Sequence, residues 1–235
     1  MKHPTHVLAF VTSAALSLCG LILLTPPAEA AGTVVGSRHD LRAAGGGTPA
    51  GTGLVEVCVV CHTPHQAATA NSQDPLWNHT ATATAAFGVY ASVTLNAAPI
   101  TDIGGAPIGS QSLSMLCMSC HDGTVSVLSM YNPPNTGFAT TEVPGRISPT
   151  GQIISNANMG TSLTDDHPVN FTYNSALATA DGGLRDPATT PAVAALIPGG
   201  TVQCSSCHTT HDPTNVPFLR VSNAASALCL TCHIK

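Results

Sequence analysis

Four short stretches of the chain carry the same residue types at the same spacing: Cys58-Val-Val-Cys61-His62, Cys117-Met-Ser-Cys120-His121, Cys204-Ser-Ser-Cys207-His208 and Cys229-Leu-Thr-Cys232-His233. Cysteines at i and i+3 lie on one face of a helical turn, where two thiols can form thioethers with the vinyl groups of one haem. The histidine that follows then meets the iron. These residue frequencies would give roughly 0.02 chance copies of Cys-x-x-Cys-His in a chain of this length. Four copies, with Cys19 as the only other cysteine, predict four covalently bound haem c groups with His62, His121, His208 and His233 as proximal ligands. Disulfides or zinc would use the same thiols but leave the histidine behind every second cysteine unexplained. A thioredoxin-type pair would want a βαβ context, which the chain lacks.

Each iron has two axial positions, and the motif histidine takes one. Beyond residue 30 the remaining histidines are His39, His65, His79, His167 and His211, five candidates for four distal positions, so no iron has to stay open. His65 lies three residues after His62, at most about 10 Å along the chain. The porphyrin stands between it and the far face of the same iron, so it must serve a different haem or none, and His211 repeats the pattern after His208. His39 and His167 each precede a Cys-x-x-Cys-His-x-x-His block, so the chain reads as duplicated, with modules at about 31–135 and 136–235. If each module were self-sufficient, the upstream histidine would cap its first haem and the i+3 histidine its second. His79 would then be surplus, or it could displace His39, which stands near the start of the exported chain and is placed to reach a neighbouring molecule. Met115, Met130 and Met159 could replace an imidazole and raise the potential, but gap filling is their expected role.

These sites must be carried by a chain with an unusual composition. Lys2, an apolar run from Val7 to Leu24 and the small-x-small end at Ala28-Glu29-Ala30 read as a signal peptide over 1–30 rather than a membrane anchor. Leu18 before Cys19 is not the small residue a lipoprotein signal wants, so Cys19 is expected to be discarded. Export to the periplasm, the cell surface or beyond suits covalent haem attachment. Only 8% of the chain is charged, and the part after residue 30 has eight aromatics: Trp77, Phe87, Tyr90, Tyr131, Phe138, Phe171, Tyr173 and Phe218. Something besides side chains is expected to supply much of the buried apolar surface. A net charge of −5, with Lys235 the only lysine after cleavage, offers no basic stripe for nucleic acid and no basis for stable membrane insertion. Short β-like character is expected at 82–94 and 125–131, loops at 43–53, 132–152 and 181–200, and helices little longer than the motif turns. The expected fold is therefore mostly irregular coil with minor β. Asn78-His79-Thr80 and Asn170-Phe171-Thr172 match glycosylation sequons.

The run Cys204 to His211 followed by Leu228 to His233 resembles the doubled-motif multihaem cytochromes c. With four motifs, the early His39 and Val60-Cys61-His62-Thr63-Pro64-His65, the exported region is similar to the OmcE-type tetrahaem cytochromes that polymerise into extracellular filaments. That resemblance implies a coil-rich fold wrapped round a continuous haem stack and bis-histidine ligation throughout. It also implies one axial histidine donated across each subunit junction, with His39 the candidate. The function expected is electron conduction between redox partner proteins or extracellular acceptors, as a homopolymer subunit or as a soluble periplasmic shuttle. A multihaem reductase is the less favoured reading, since catalysis needs an iron with an open position and the histidine supply is ample. Propionates are expected to be met by Arg38, Arg42, Arg146, Arg185 or Arg220.

Overall fold

A Cys-x-x-Cys-His segment folds as one tight helical turn because the histidine amide can close back on the first cysteine carbonyl. In the computed structural model His62 N donates to Cys58 O at 2.8 Å, His208 N to Cys204 O at 3.0 Å and His233 N to Cys229 O at 2.9 Å. The second motif lies inside a longer helix, α1 (Ser114–His121). After the turn, three of the histidines enter extended backbone and make isolated antiparallel bridges, His62 with Trp77, His208 with Leu219 and His233 with Leu184. Each is thereby held from both sides of the chain.

The structure describes residues 33–42, 53–67, 76–97, 100, 113–134 and 143–234, all within one compact unit, Ala31–Lys235. The expected signal segment 1–30 with Cys19, most of the loop 43–53, residues 135–142 with Phe138, and Lys235 lie outside the described residues. Among the described residues no helix is long and apolar enough to cross a membrane.

Regular structure is sparse. Besides α1, the helices are α2 (Ser175–Asp181), α3 (Pro191–Leu196), α4 (Cys204–Cys207) and α5 (Ala227–Cys232). Two-residue strands β1 (Phe171–Thr172) and β2 (Thr201–Val202) pair antiparallel, with Phe171 opposite Val202 and Thr172 opposite Thr201. Helices α2 and α3 exceed the motif turns that the sequence led us to expect, and α3 falls in the expected loop 181–200. Their ends explain them. The Asn174 side chain accepts from Leu177 N at 3.0 Å and Gly182 closes α2 at φ +69°, while Pro191 opens α3 where no amide is needed.

Conversely, no ladder forms over 82–94, and 125–131 contributes only the bridge of Met130 with His79. The threonines expected to favour a strand are used otherwise. Thr82 and Thr84 donate their hydroxyls to the buried carboxylate of Asp122, the latter at 2.9 Å, and Thr124 adds its amide and hydroxyl. Phe87 plugs a cluster with Met115, Met118 and Leu163, which gives Met115 a packing role, as the cluster around Leu54 does Met130.

The apolar interior is divided into small clusters. One gathers Ala97, Phe171, Tyr173, Leu177, Val193, Ile197 and Val202 around the strands and α2–α3. Another joins Leu54, Val60, Val127, Leu128, Ile147 and Ile153, with Cys61 and Cys120 packed against it. A third pairs Trp77 with Leu116, again with Cys61.

Replacing the α2 cap, Asn174→Ala, is expected to cost about 0.5–2 kcal/mol. The denaturation midpoint should fall with no change in the visible spectrum, because no motif lies on that helix.

Candidate haem-binding site

The cysteines of successive motifs lie side by side in chain order. Cys61 and Cys120 pack on the same apolar cluster, and the Cys120 thiol is pushed up by its burial first and by Cys61 second. Cys117 and Cys204 are neighbours that shift each other, the former thiol raised and the latter lowered. Cys207 is raised by burial and by its neighbours Cys204 and Cys229, and Cys232 by burial and then by Cys207 and Cys229. The four attachment points therefore form an unbroken run from first motif to fourth.

Three pairs of histidine rings face one another, two within a half of the chain and one, His62 with His211, across the halves. A metal held by two imidazoles at about 2.0–2.1 Å each sets their ring centres about 6.4 Å apart. The ring centres of His39 and His121 lie 6.2 Å apart, those of His62 and His211 6.1 Å, and those of His167 and His233 6.5 Å. The first and third pairs are near-perpendicular at 78°, and the second is near-parallel at 19°. This pairing departs from the self-sufficient modules. His39 faces the second motif rather than the first, His211 crosses to the first motif, and His167 faces the fourth.

A backbone carbonyl fixes the tautomer of three of the histidine rings. His121 Nδ1 bonds Ala157 O at 2.8 Å, His167 Nδ1 bonds Pro168 O at 2.9 Å and His208 Nδ1 bonds Pro217 O at 3.0 Å. A carbonyl on Nδ1 fixes the tautomer and leaves Nε2 for a metal. His79 is different. It is fully buried, with Nδ1 2.8 Å from Thr80 O and Nε2 3.0 Å from Ser126 O. Cys120 Sγ stands 3.3 Å from the same Nε2. Burial keeps this ring neutral, so its single N–H satisfies only one of those two carbonyls, and the ring stands beside the second motif. Its neighbour Asn78 is also fully buried and donates to Val59 O and Asn132 O, so this sequon is closed to modification.

His39 is positioned by a local device. The Asp40 carboxylate accepts from Arg42 Nε at 2.8 Å and Arg42 NH2 at 2.7 Å, and from Gly36 N at 2.8 Å. The Arg42 bonds hold that carboxyl well below the usual range. The loop is locked, and the His39 ring rests on Phe218 at 4.4 Å between centres. Burial, then His121, hold His39 down at about 4, which keeps it as the neutral imidazole a metal requires.

Arg185 and Arg220 serve the motifs directly. Arg185 N donates to Cys232 O and its Nε to Leu230 O at 3.0 Å, while Arg220 N donates to Cys207 O and its NH1 to Ser205 O at 3.2 Å. They brace the carbonyl ends of the fourth and third turns. Arg42, Arg185 and Arg220 thus each have a partner within the chain.

A haem fits these residues. The described buried polar side-chain atoms with no partner are His39 Nδ1, Trp77 Nε1 and Ser205 Oγ, and each lies at a motif. His39 faces His121, Trp77 packs on Cys61 with its ring 6.2 Å from that of His62, and Ser205 stands between the cysteines of the third motif. Buried polar atoms of this kind are costly unless a further group joins them.

A family model described as the doubled CXXCH motif matches residues 198–235, the third and fourth motifs. No curated protein matches the chain. The match supports a multihaem c-type cytochrome with covalently bound haem c and a role in electron transfer.

His79→Leu should cost about 1–3 kcal/mol, by leaving a buried carbonyl unsatisfied, without creating a high-spin iron. His167→Ala or His211→Ala should instead convert one haem per chain to a high-spin, carbon monoxide-binding form, read in the ferrous visible spectrum.

Proposed function

We propose that the protein is an exported tetrahaem electron conduit rather than an enzyme. Its four haems would stand in chain order, each iron held between two imidazoles, with the exported chain wrapped around them. The three facing histidine pairs are the observation that carries this reading. Haem supplies a one-electron iron couple, and the protein's part is to keep both axial positions filled and the attachment points close. Saturated irons pass electrons without binding substrate.

The fourth pair carries the further proposal of a filament. His208 has its Nδ1 bonded to Pro217 O, yet among the described residues no other histidine ring lies opposite it. His65 is exposed, while its carbonyl is anchored by Thr63 Oγ1 at 2.9 Å and Asn132 Nδ2 at 3.2 Å. A fixed backbone with an outward ring suits donation to a neighbouring molecule. His39, which faces His121 within the chain, is the weaker candidate for that role. We therefore assign the junction ligand to His65 of one subunit, reaching the haem at His208 of the next. If the protein is a soluble shuttle instead, His65 folds back onto His208 of its own chain.

Purified protein should carry four haems per chain by pyridine haemochrome assay, all low-spin. The ferric paramagnetic resonance spectrum should contain two kinds of signal, a rhombic one from the near-parallel pair and a highly anisotropic one from the perpendicular pairs. Negative-stain microscopy should show filaments, and His65→Ala should dissolve them and leave one high-spin haem per chain. Monomers that keep every iron low-spin would favour the shuttle. Resting high-spin iron in the parent protein would favour an enzyme.

A further inference from the structure

The joints between successive motifs differ in kind. Cys61 and Cys120 share an apolar cluster, and the third and fourth motifs are braced by Arg220 and Arg185. Between the second and third motifs no apolar cluster among the described residues contains residues of both. Yet Cys117 and Cys204 lie close enough to shift each other, and that joint links the second motif to the third.

A buried polar clamp holds it. Ser114 opens α1, three residues before Cys117, and is fully buried, while Gln203 directly precedes Cys204 and is 4% exposed. Ser114 Oγ donates to Gln203 Oε1 at 2.7 Å, and Ser114 N approaches the same oxygen at 3.3 Å. In return Cys204 N donates to Ser114 Oγ at 3.0 Å. Gln203 is itself fixed. Its Nε2 donates to Asn170 Oδ1 at 3.0 Å, at the edge of β1, and its amide donates to Ser206 Oγ at 3.0 Å inside the third motif. The hydroxyl of Ser114 thus ties the start of the helix that carries the second motif to the backbone amide of the third motif's first cysteine, and the network is anchored on the sheet.

We propose that Ser114 and Gln203 are positioning residues that set the spacing between the haem attached at Cys117 and the haem attached at Cys204, an inference that rests on the haem reading above. Hydrogen bonds are directional where apolar contacts are not, so this clamp fixes distance and orientation where no shared apolar cluster does. It would govern electron exchange at the step from the second motif to the third.

The test uses the full haem-loaded protein with Ser114→Ala and Gln203→Met, singly and together. Haem content is measured by pyridine haemochrome assay, interhaem coupling by the Soret circular-dichroism couplet, and haem-to-haem transfer by transient absorption. Each single variant should keep the parent haem content and low-spin spectrum, while the couplet loses amplitude and one transfer phase slows severalfold. The double variant should be no worse than the more affected single, since both break one network. Parent-like coupling and transfer in a fully loaded variant would overturn the inference and leave the conduit reading standing. If Gln203→Met fails to load haem, Ser114→Ala decides the matter. Failure of both to load would assign the pair to folding and also overturn it. A parent protein without haem would instead sink the conduit reading.

Discussion

The structure depends on where each imidazole places its second nitrogen. A histidine whose Nδ1 bonds a carbonyl has one tautomer and one free nitrogen, and it can grip a metal without further adjustment. His121, His167 and His208 meet that condition through Ala157, Pro168 and Pro217. His79 has a carbonyl beside each nitrogen, and its one N–H serves only one of them. The same chemistry therefore yields two outcomes from identical side chains, and the division between them follows from which carbonyls the coil brings past each ring.

Around those rings the chain builds little that is regular. Small apolar clusters, bridges of one residue pair and side-chain bonds to backbone do the work that long helices and sheets do elsewhere. Asp122, directly after the second motif, draws in Thr82, Thr84 and Thr124, and Asp40 with Arg42 fixes the loop that carries His39. Such local devices suit a scaffold whose working parts are separate turns that must be set at fixed separations. They also explain how a chain with few charges commits several of them to bracing the motifs.

The motifs themselves were legible because a Cys-x-x-Cys-His turn is a local object whose geometry is complete within five residues. The coil-rich character was legible from composition. Partner choice was not. His211 sits in the fourth quarter of the chain and faces His62 near its start, and no periodicity encodes a contact of that range. His79 shows the same limit, since its role is set by Ser126, far along the chain. Helices α2 and α3 carried readable signals in Asn174, Gly182 and Pro191, which the glycine and proline content around them obscured. The threonines at 82 and 84 misled for a physical reason: their strand preference counts for less than a buried carboxylate that needs donors.

Experimental coordinates of the haem-loaded protein, at a resolution that shows side chains, test the central claim most directly. The account predicts His39 with His121, His62 with His211 and His167 with His233 on opposite faces of one iron each, and His79 bound to none. An iron bound to His79, or His39 found opposite His62, would contradict it.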